Sequence, residues 1–229
     1  MALLSLGTAN YAQVRQKKRR TIRTENMPKY DRKLFHFGIN LGMVMSGTAI
    51  RPIDDLRSLP DTIYAVNPIW MPGFSMGIES NLRLAEHWDL RFTPTLSLAS
   101  RVFEFDTPQG RDRFELPSTM VEFPLYFKFK SARLTNWRAY LIGGAKYIFD
   151  LSNKIGAENA SEYPIKLTAH DVAAELGFGM DFYLPYFKFS TQMKVSWGLV
   201  NLKYTENNIY NSAIDQVNSR SVYISFLFE

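Results

Sequence analysis

The stretch VEFPLYFKFK, Val121 to Lys130, decides how the rest of the chain is read. Its odd positions are Val121, Phe123, Leu125, Phe127 and Phe129. Its even positions are Glu122, Pro124, Tyr126, Lys128 and Lys130. Every odd residue is apolar, and every even one except Pro124 carries a polar group. A period of two places the two sets on opposite faces of a β-strand, whereas a helix would spread the phenylalanines around its whole surface. One face of this strand therefore meets an apolar medium, which is either a protein core or a lipid bilayer.

Seven further segments repeat the pattern. The first begins at Leu34, with Phe35, Phe37, Ile39, Leu41 and Met43 against His36, Gly38, Asn40 and Gly42. The others run over about 73–84, 88–102, 137–150, 170–184, 187–200 and 219 to the end. Each is close to the 9–11 residues of a tilted membrane strand. The expected connections alternate in length. Long ones fall near 44–72 (with Pro52, Pro60, Pro68 and Pro72), 105–114, 151–168 and 201–218. Short ones fall at AEHW, 131–136 and the LPY of 184–186. Short turns on one side and long loops on the other describe an up-and-down barrel of the bacterial outer membrane, with both chain ends periplasmic.

Composition agrees. The 229 residues fit one β-domain, and no apolar run reaches the roughly 18 residues of a membrane helix. Mean hydropathy is −0.19 although 14% of residues are aromatic, as expected when apolar and polar residues take turns. The net charge of +5 is local. Residues 13–33 hold nine Lys/Arg against two Asp/Glu, while 34–229 hold eighteen against twenty. The basic excess is thus a tail, expected to be disordered and periplasmic, and not a basic groove for nucleic acid. The start, MALLSLGTANYA, reads as the end of a secretory signal peptide cleaved after Ala9 or Ala12, though it lacks a basic leader. The expected organisation is therefore 1–12 signal remnant, 13–33 tail and 34–229 barrel.

Two eight-stranded barrels compete. A lipocalin-like barrel turns its apolar face inward around a ligand; a membrane barrel turns it to lipid. Three features favour the membrane. Aromatics gather near the short-turn ends, at Phe35, Phe37, Trp88, Phe127, Phe129, Trp137, Phe187, Phe226 and Phe228, where an interfacial girdle belongs. The polar face mixes both charges with Gly77, Gly177 and Gly179. On it Glu79, Arg83, Asp89, Arg91, Glu122, Lys128, Arg138, Lys146, Glu175, Asp181, Lys188 and Lys194 are expected to pair inside a narrow lumen. The apolar face of the segments carries no Lys or Arg, which costs about 2–4 kcal/mol at the bilayer midplane.

Catalytic chemistry is not evident. There is no cysteine. His36, His87 and His170 lack metal-ligand spacing, and Gly177-Phe178-Gly179 lies within a strand, so it is no phosphate loop. The one enzymatic alternative is a lipid A-modifying barrel using His170 with Ser152, Ser161 or Thr168. No cofactor, metal or small-molecule substrate is expected; the expected partner is outer-membrane lipid.

Specific motifs add to this. HFG at 36–38, NLRL at 81–84, DLRF with Pro94, STMVEFPLYFKFKSARLTNWRAYLIGGAKYIFDL at 118–151, ELGFGMDFYLPYFKFS at 175–190, Gly198 with Asn201, and the closing FE at 228–229 resemble the PorT family. This is the small outer-membrane barrel of the type IX secretion system of Bacteroidetes, and the likeness runs from about Asp31 to the end. It departs at Pro117, where the family pattern has a glutamate. The resemblance implies a part in exporting proteins that bear a C-terminal sorting domain, among other secretion components, and supplies no catalytic residues. A lumen filled by side chains implies an accessory or assembly factor and not the conduit. The alternative is a structural or adhesive barrel using the loops 44–72 and 201–218.

Overall fold

A computed structural model describes residues 25–52, 65–107, 110–152, 167–203 and 214–229. Its strands are β1 (Phe35–Pro52), β2 (Ala65–Ile69), β3 (Met71–Arg83), β4 (Trp88–Phe92), β5 (Thr95–Thr107), β6 (Gly110–Lys130), β7 (Trp137–Asp150), β8 (His170–Tyr183), β9 (Lys188–Gly198) and β10 (Ile214–Phe228). Two staves of the wall are broken: β2 continues into β3 past Trp70, and β4 into β5 past Thr93-Pro94. The ten strands thus make eight antiparallel staves. The last closes on the first through a ladder from Ile39↔Phe228 to Pro52↔Ile214, whose register shifts only between Arg51 and Pro52. Where β1 ladders with both β10 and β3, closure leaves no open edge, as a bilayer requires.

The faces sort as the alternation predicts. Phe35, Phe37, Ile39, Leu41, Phe127, Leu141, Leu176, Phe178 and Ile224 are exposed on the outer wall. Arg91, Lys128, Asp181 and Glu79 are buried inside. Pro124 fits mid-wall because its neighbour on one side is the broken stave, where Thr93 N–H reaches back to Pro124 O at 3.3 Å. A proline has no N–H to offer a ladder.

The strands outrun the expected segments on the loop side. β1 has 18 residues and β6 has 21. The long connection expected over 44–72 is largely wall: β1 runs to Pro52, and Pro68 and Pro72 lie in strands. Pro68 is tolerated because β2 ladders only with β5. The loop expected at 105–114 is instead a hairpin whose last pair is Thr107↔Gly110. The long connection expected over 201–218 is also partly wall, since β10 begins at Ile214.

The cause is an exchange of faces. Along β6, Val121 to Phe129 face outward as apolar residues, but farther up Arg111, Arg113 and Glu115 face outward. There the inner positions are Phe114 and Leu116. With Phe103, Phe105, Leu167, Leu202, Val217 and Ile50, these two form an apolar core within the barrel's loop end. Above the lipid band the wall meets water, so the apolar side must turn in. At ordinary strand rise and tilt the β5–β6 hairpin stands roughly 20 Å above the band. Arg51, Arg111, Arg113 and Arg220 are outward cations of this upper region.

Residues 25–33 are not free tail. After a left-handed residue at Met27, the chain makes a 3-10 turn over Tyr30–Arg32 and enters β1. Buried Tyr30 lies at the short-turn mouth. The signal segment and residues 13–24 fall outside the described residues.

Candidate functional site

The inner wall is a stack of paired charges, and every side chain follows from strand parity. Nearest the short-turn mouth, Lys130 Nζ meets Asp89 Oδ1 at 2.5 Å, and Asn81 donates to the other oxygen of Asp89 at 2.9 Å. Arg91 meets Glu79 at 2.7 Å. Asp181 is a hub: it accepts from Lys128 at 2.9 Å and Ser190 at 2.6 Å, and sits 3.4 Å from Arg138. Glu229, the last residue, points inward to Lys188.

Midway along, Lys146 lies between Glu175 at 2.9 Å and Glu122 at 3.1 Å. Lys194 donates to Tyr126 Oη at 2.9 Å, and Tyr126 donates to Glu175. Nearer the loop end Arg101 pairs with Asp150 at 3.4 Å. Opposite charges in contact are what allow such groups to sit out of water.

Two contacts cross the whole bore. Tyr223 of β10 donates to Glu122 of β6 at 2.7 Å, and Arg91 of β4 donates to Gln192 of β9 at 2.9 Å. In each case the two staves stand four places apart in a ring of eight, hence diametrically opposed. Side chains that hydrogen-bond across a diameter obstruct the bore at those levels, in a barrel whose interior is just wide enough for side chains to fill. Lys128 lies 3.8 Å from the ring centroid of Tyr140, and Lys146 lies 4.3 Å from that of Tyr223, which adds cation–π attraction in the same space.

The mouth is closed by the turn before β1. Asp31 accepts from Arg138 at 2.6 Å, Tyr183 Oη at 2.9 Å and Arg133 at 3.2 Å. Burial pushes its carboxyl up, but Arg138 and these donors outweigh that and hold it below the ordinary aspartate range. Tyr30 donates to Glu229 at 2.5 Å, while its carbonyl meets His36 Nε2 at 2.9 Å. Asn26 is tied to Asn136 and to Tyr183 O, each at 2.9 Å.

Among the described residues, all of the charges expected to pair do so except Arg83. Arg83 is half-buried at the rim, where its backbone N–H binds Leu34 O. Sequence reasoning passed over Arg101, Asp150, Glu229 and the tyrosines 126, 140 and 223 as partners. Each lies on the inward parity, so the signal was present. Asp31 and Arg133 sit in turns, where no periodicity marks them.

The enzymatic candidate is not assembled among the described residues. His170 faces outward, its Nδ1 2.5 Å from Tyr147 Oη and its ring against Phe149. Ser152 Oγ accepts from Thr119 N–H. Ser161 lies outside the described residues. No group of three or more metal-binding side chains occurs among the described residues.

The sequence model of one family, described as outer membrane protein beta-barrel domain, matches residues 11–204. No curated protein matches. Solved structures similar to this chain include OprG of Pseudomonas aeruginosa, at 12% identity and a TM-score of 0.49, covering 90% of this chain and 96% of that one. Neisserial surface protein A shows 9% identity and a TM-score of 0.42, over 85% and 98%. Ail of Yersinia pestis, in complex with the heparin analogue sucrose octasulfate, shows 11% identity and a TM-score of 0.36, over 86% and 99%.

Proposed function

The chain belongs to the outer membrane protein beta-barrel domain family, and from that premise we propose that it is a non-conducting accessory barrel of a type IX protein secretion system. The family places the protein in the outer membrane. The observation that carries the rest is the pair of hydrogen bonds across the bore, Tyr223 to Glu122 and Arg91 to Gln192. A barrel bridged in this way has no lumen to offer a polypeptide. Its work is then done by its surfaces: the lipid-facing wall, the raised β5–β6 hairpin and the basic N-terminal tail read from the sequence. The PorT-like motifs around EFPLYFKF, GFGMDFYLPYFKF and the terminal FE support the assignment to secretion. In this reading both chain ends are periplasmic.

A second reading has one observation in its favour. The β5–β6 hairpin rises beyond the apolar band and shows Arg111, Arg113 and Glu115 on its outer face, which suits a structural or adhesive barrel.

Deletion of the gene separates the two. Loss of surface delivery of proteins with C-terminal sorting domains, restored by the intact gene, supports the secretion role. Unimpaired delivery with altered adhesion supports the other.

A further inference from the structure

Where the outer wall passes from apolar to charged, one arginine stands between two indoles. Arg220 of β10 is exposed and shares the outward parity of Val222 and Ile224. Its cross-strand partner on β9 is Trp197, and on β1 it is Gly47. Trp70 lies over Gly47: a β-carbon there would stand 2.8 Å from Trp70 Cδ2. The missing side chain is therefore what lets the indole lie against the strand beside Arg220. Trp70 and Trp197 remain 44% and 42% exposed.

Below them runs an unbroken apolar track. Met45, Val222 and Val195 form one row, and Met43, Ile224 and Met193 the next. Among the described residues Arg220 makes no side-chain hydrogen bond or ion pair. This sets it apart from Arg111 on the raised hairpin, which lies 3.0 Å from Asp106 and 3.4 Å from Glu104. Arg51, also exposed, follows Gly47 by four residues on β1. Strand geometry puts its α-carbon roughly 14 Å from that of Arg220.

We propose that this patch binds a phosphorylated glycolipid of the surrounding leaflet. The phosphate sits on Arg220, whose planar fork matches it in two-point contact. The sugar lies against Trp197 and Trp70, amphipathic rings suited to the membrane interface. An acyl chain follows the Val222–Ile224 track, and Arg51 receives a second anionic group of the same headgroup. The spacing of the two cations selects an extended, multiply anionic headgroup over a single phosphodiester. The proposal rests on the barrel's place in the outer membrane and is independent of the secretion role, which a binding measurement does not read.

The test is native mass spectrometry of the full chain released from detergent, with three lipids: diphosphoryl lipid A, the same lipid A stripped of phosphate, and phosphatidylglycerol. Diphosphoryl lipid A should be retained preferentially. Arg220→Gln should weaken it about tenfold or more, as expected for loss of a charge-assisted contact. Arg113→Gln, an exposed arginine above the band, should leave it unchanged. Gly47→Ala, which displaces Trp70 without altering charge, should weaken it too. Equal retention of either other lipid, displacement by inorganic phosphate alone, or full retention by Arg220→Gln would overturn the proposal.

Discussion

Asp181 touches Lys128, Ser190 and Arg138 at once, so its loss leaves the buried Lys128 without its carboxylate. Asp181→Ala should destabilise the barrel by about 3–5 kcal/mol, measured by urea unfolding in lipid vesicles. Arg101 and Asp150 are a simpler pair. Either residue changed alone to Leu leaves an unpaired buried charge, whereas the double change removes both and should cost much less than either single one. Size matters at the same scale. A β-carbon at Gly179 would collide with the phenol end of Tyr140 and with the backbone carbonyl of Thr191. Gly143 faces outward, where a β-carbon would meet only Leu176 Cδ1 at 3.6 Å. Gly179→Ala should therefore cost about 1–3 kcal/mol, while Gly143→Ala should be neutral or gain roughly 0.5 kcal/mol. These roles were legible in part. Parity alone sent Glu79, Lys128 and Asp181 inward, but it says nothing about which inward residues meet across the bore. The bond from Tyr223 to Glu122 joins positions 101 residues apart, and only ring closure brings them together.

At the scale of the element, the strands show where pattern reading falls short. β6 was legible from Val121 to Lys130 and lost below Thr119, because its apolar side changes from outer to inner there. A period of two survives the exchange; an expectation that apolar means lipid-facing does not. The boundary can be mapped. Leu176, at mid-wall, should lose about 2–4 kcal/mol on change to Arg. Glu115→Arg, on the outer face above the band, should cost almost nothing by the same unfolding assay.

The plug is the other element that periodicity could not reveal, since a 3-10 turn of three residues has no repeat. Its hold depends on ionised Asp31. The carboxyl is held below the ordinary range in the folded state. Its contribution is therefore complete above the unfolded value of about 3.9 and is lost as pH falls through the lower, folded value. The chain has no cysteine, so Met27→Cys offers a single site for a spin label. The label should be immobile at neutral pH and loosen only below about pH 4. With Asp31→Asn it should already be mobile at pH 7.

For the whole molecule, one division of labour explains the sequence. Lipid takes the phenylalanine-rich wall, the interior charges neutralise one another, and above the band the two sides trade places around Phe103, Phe105 and Leu202. The eight-stave count was readable because each wall segment inside the lipid repeats the same alternation. The height of the barrel was not, because water above the band reverses the rule. The plugged and bridged bore is the claim on which the accessory role depends. Its most direct measurement is the conductance of the purified full chain in a planar lipid bilayer at neutral pH. The structure predicts insertion without steady current, and a large, stable, ohmic conductance from the pure protein would contradict it.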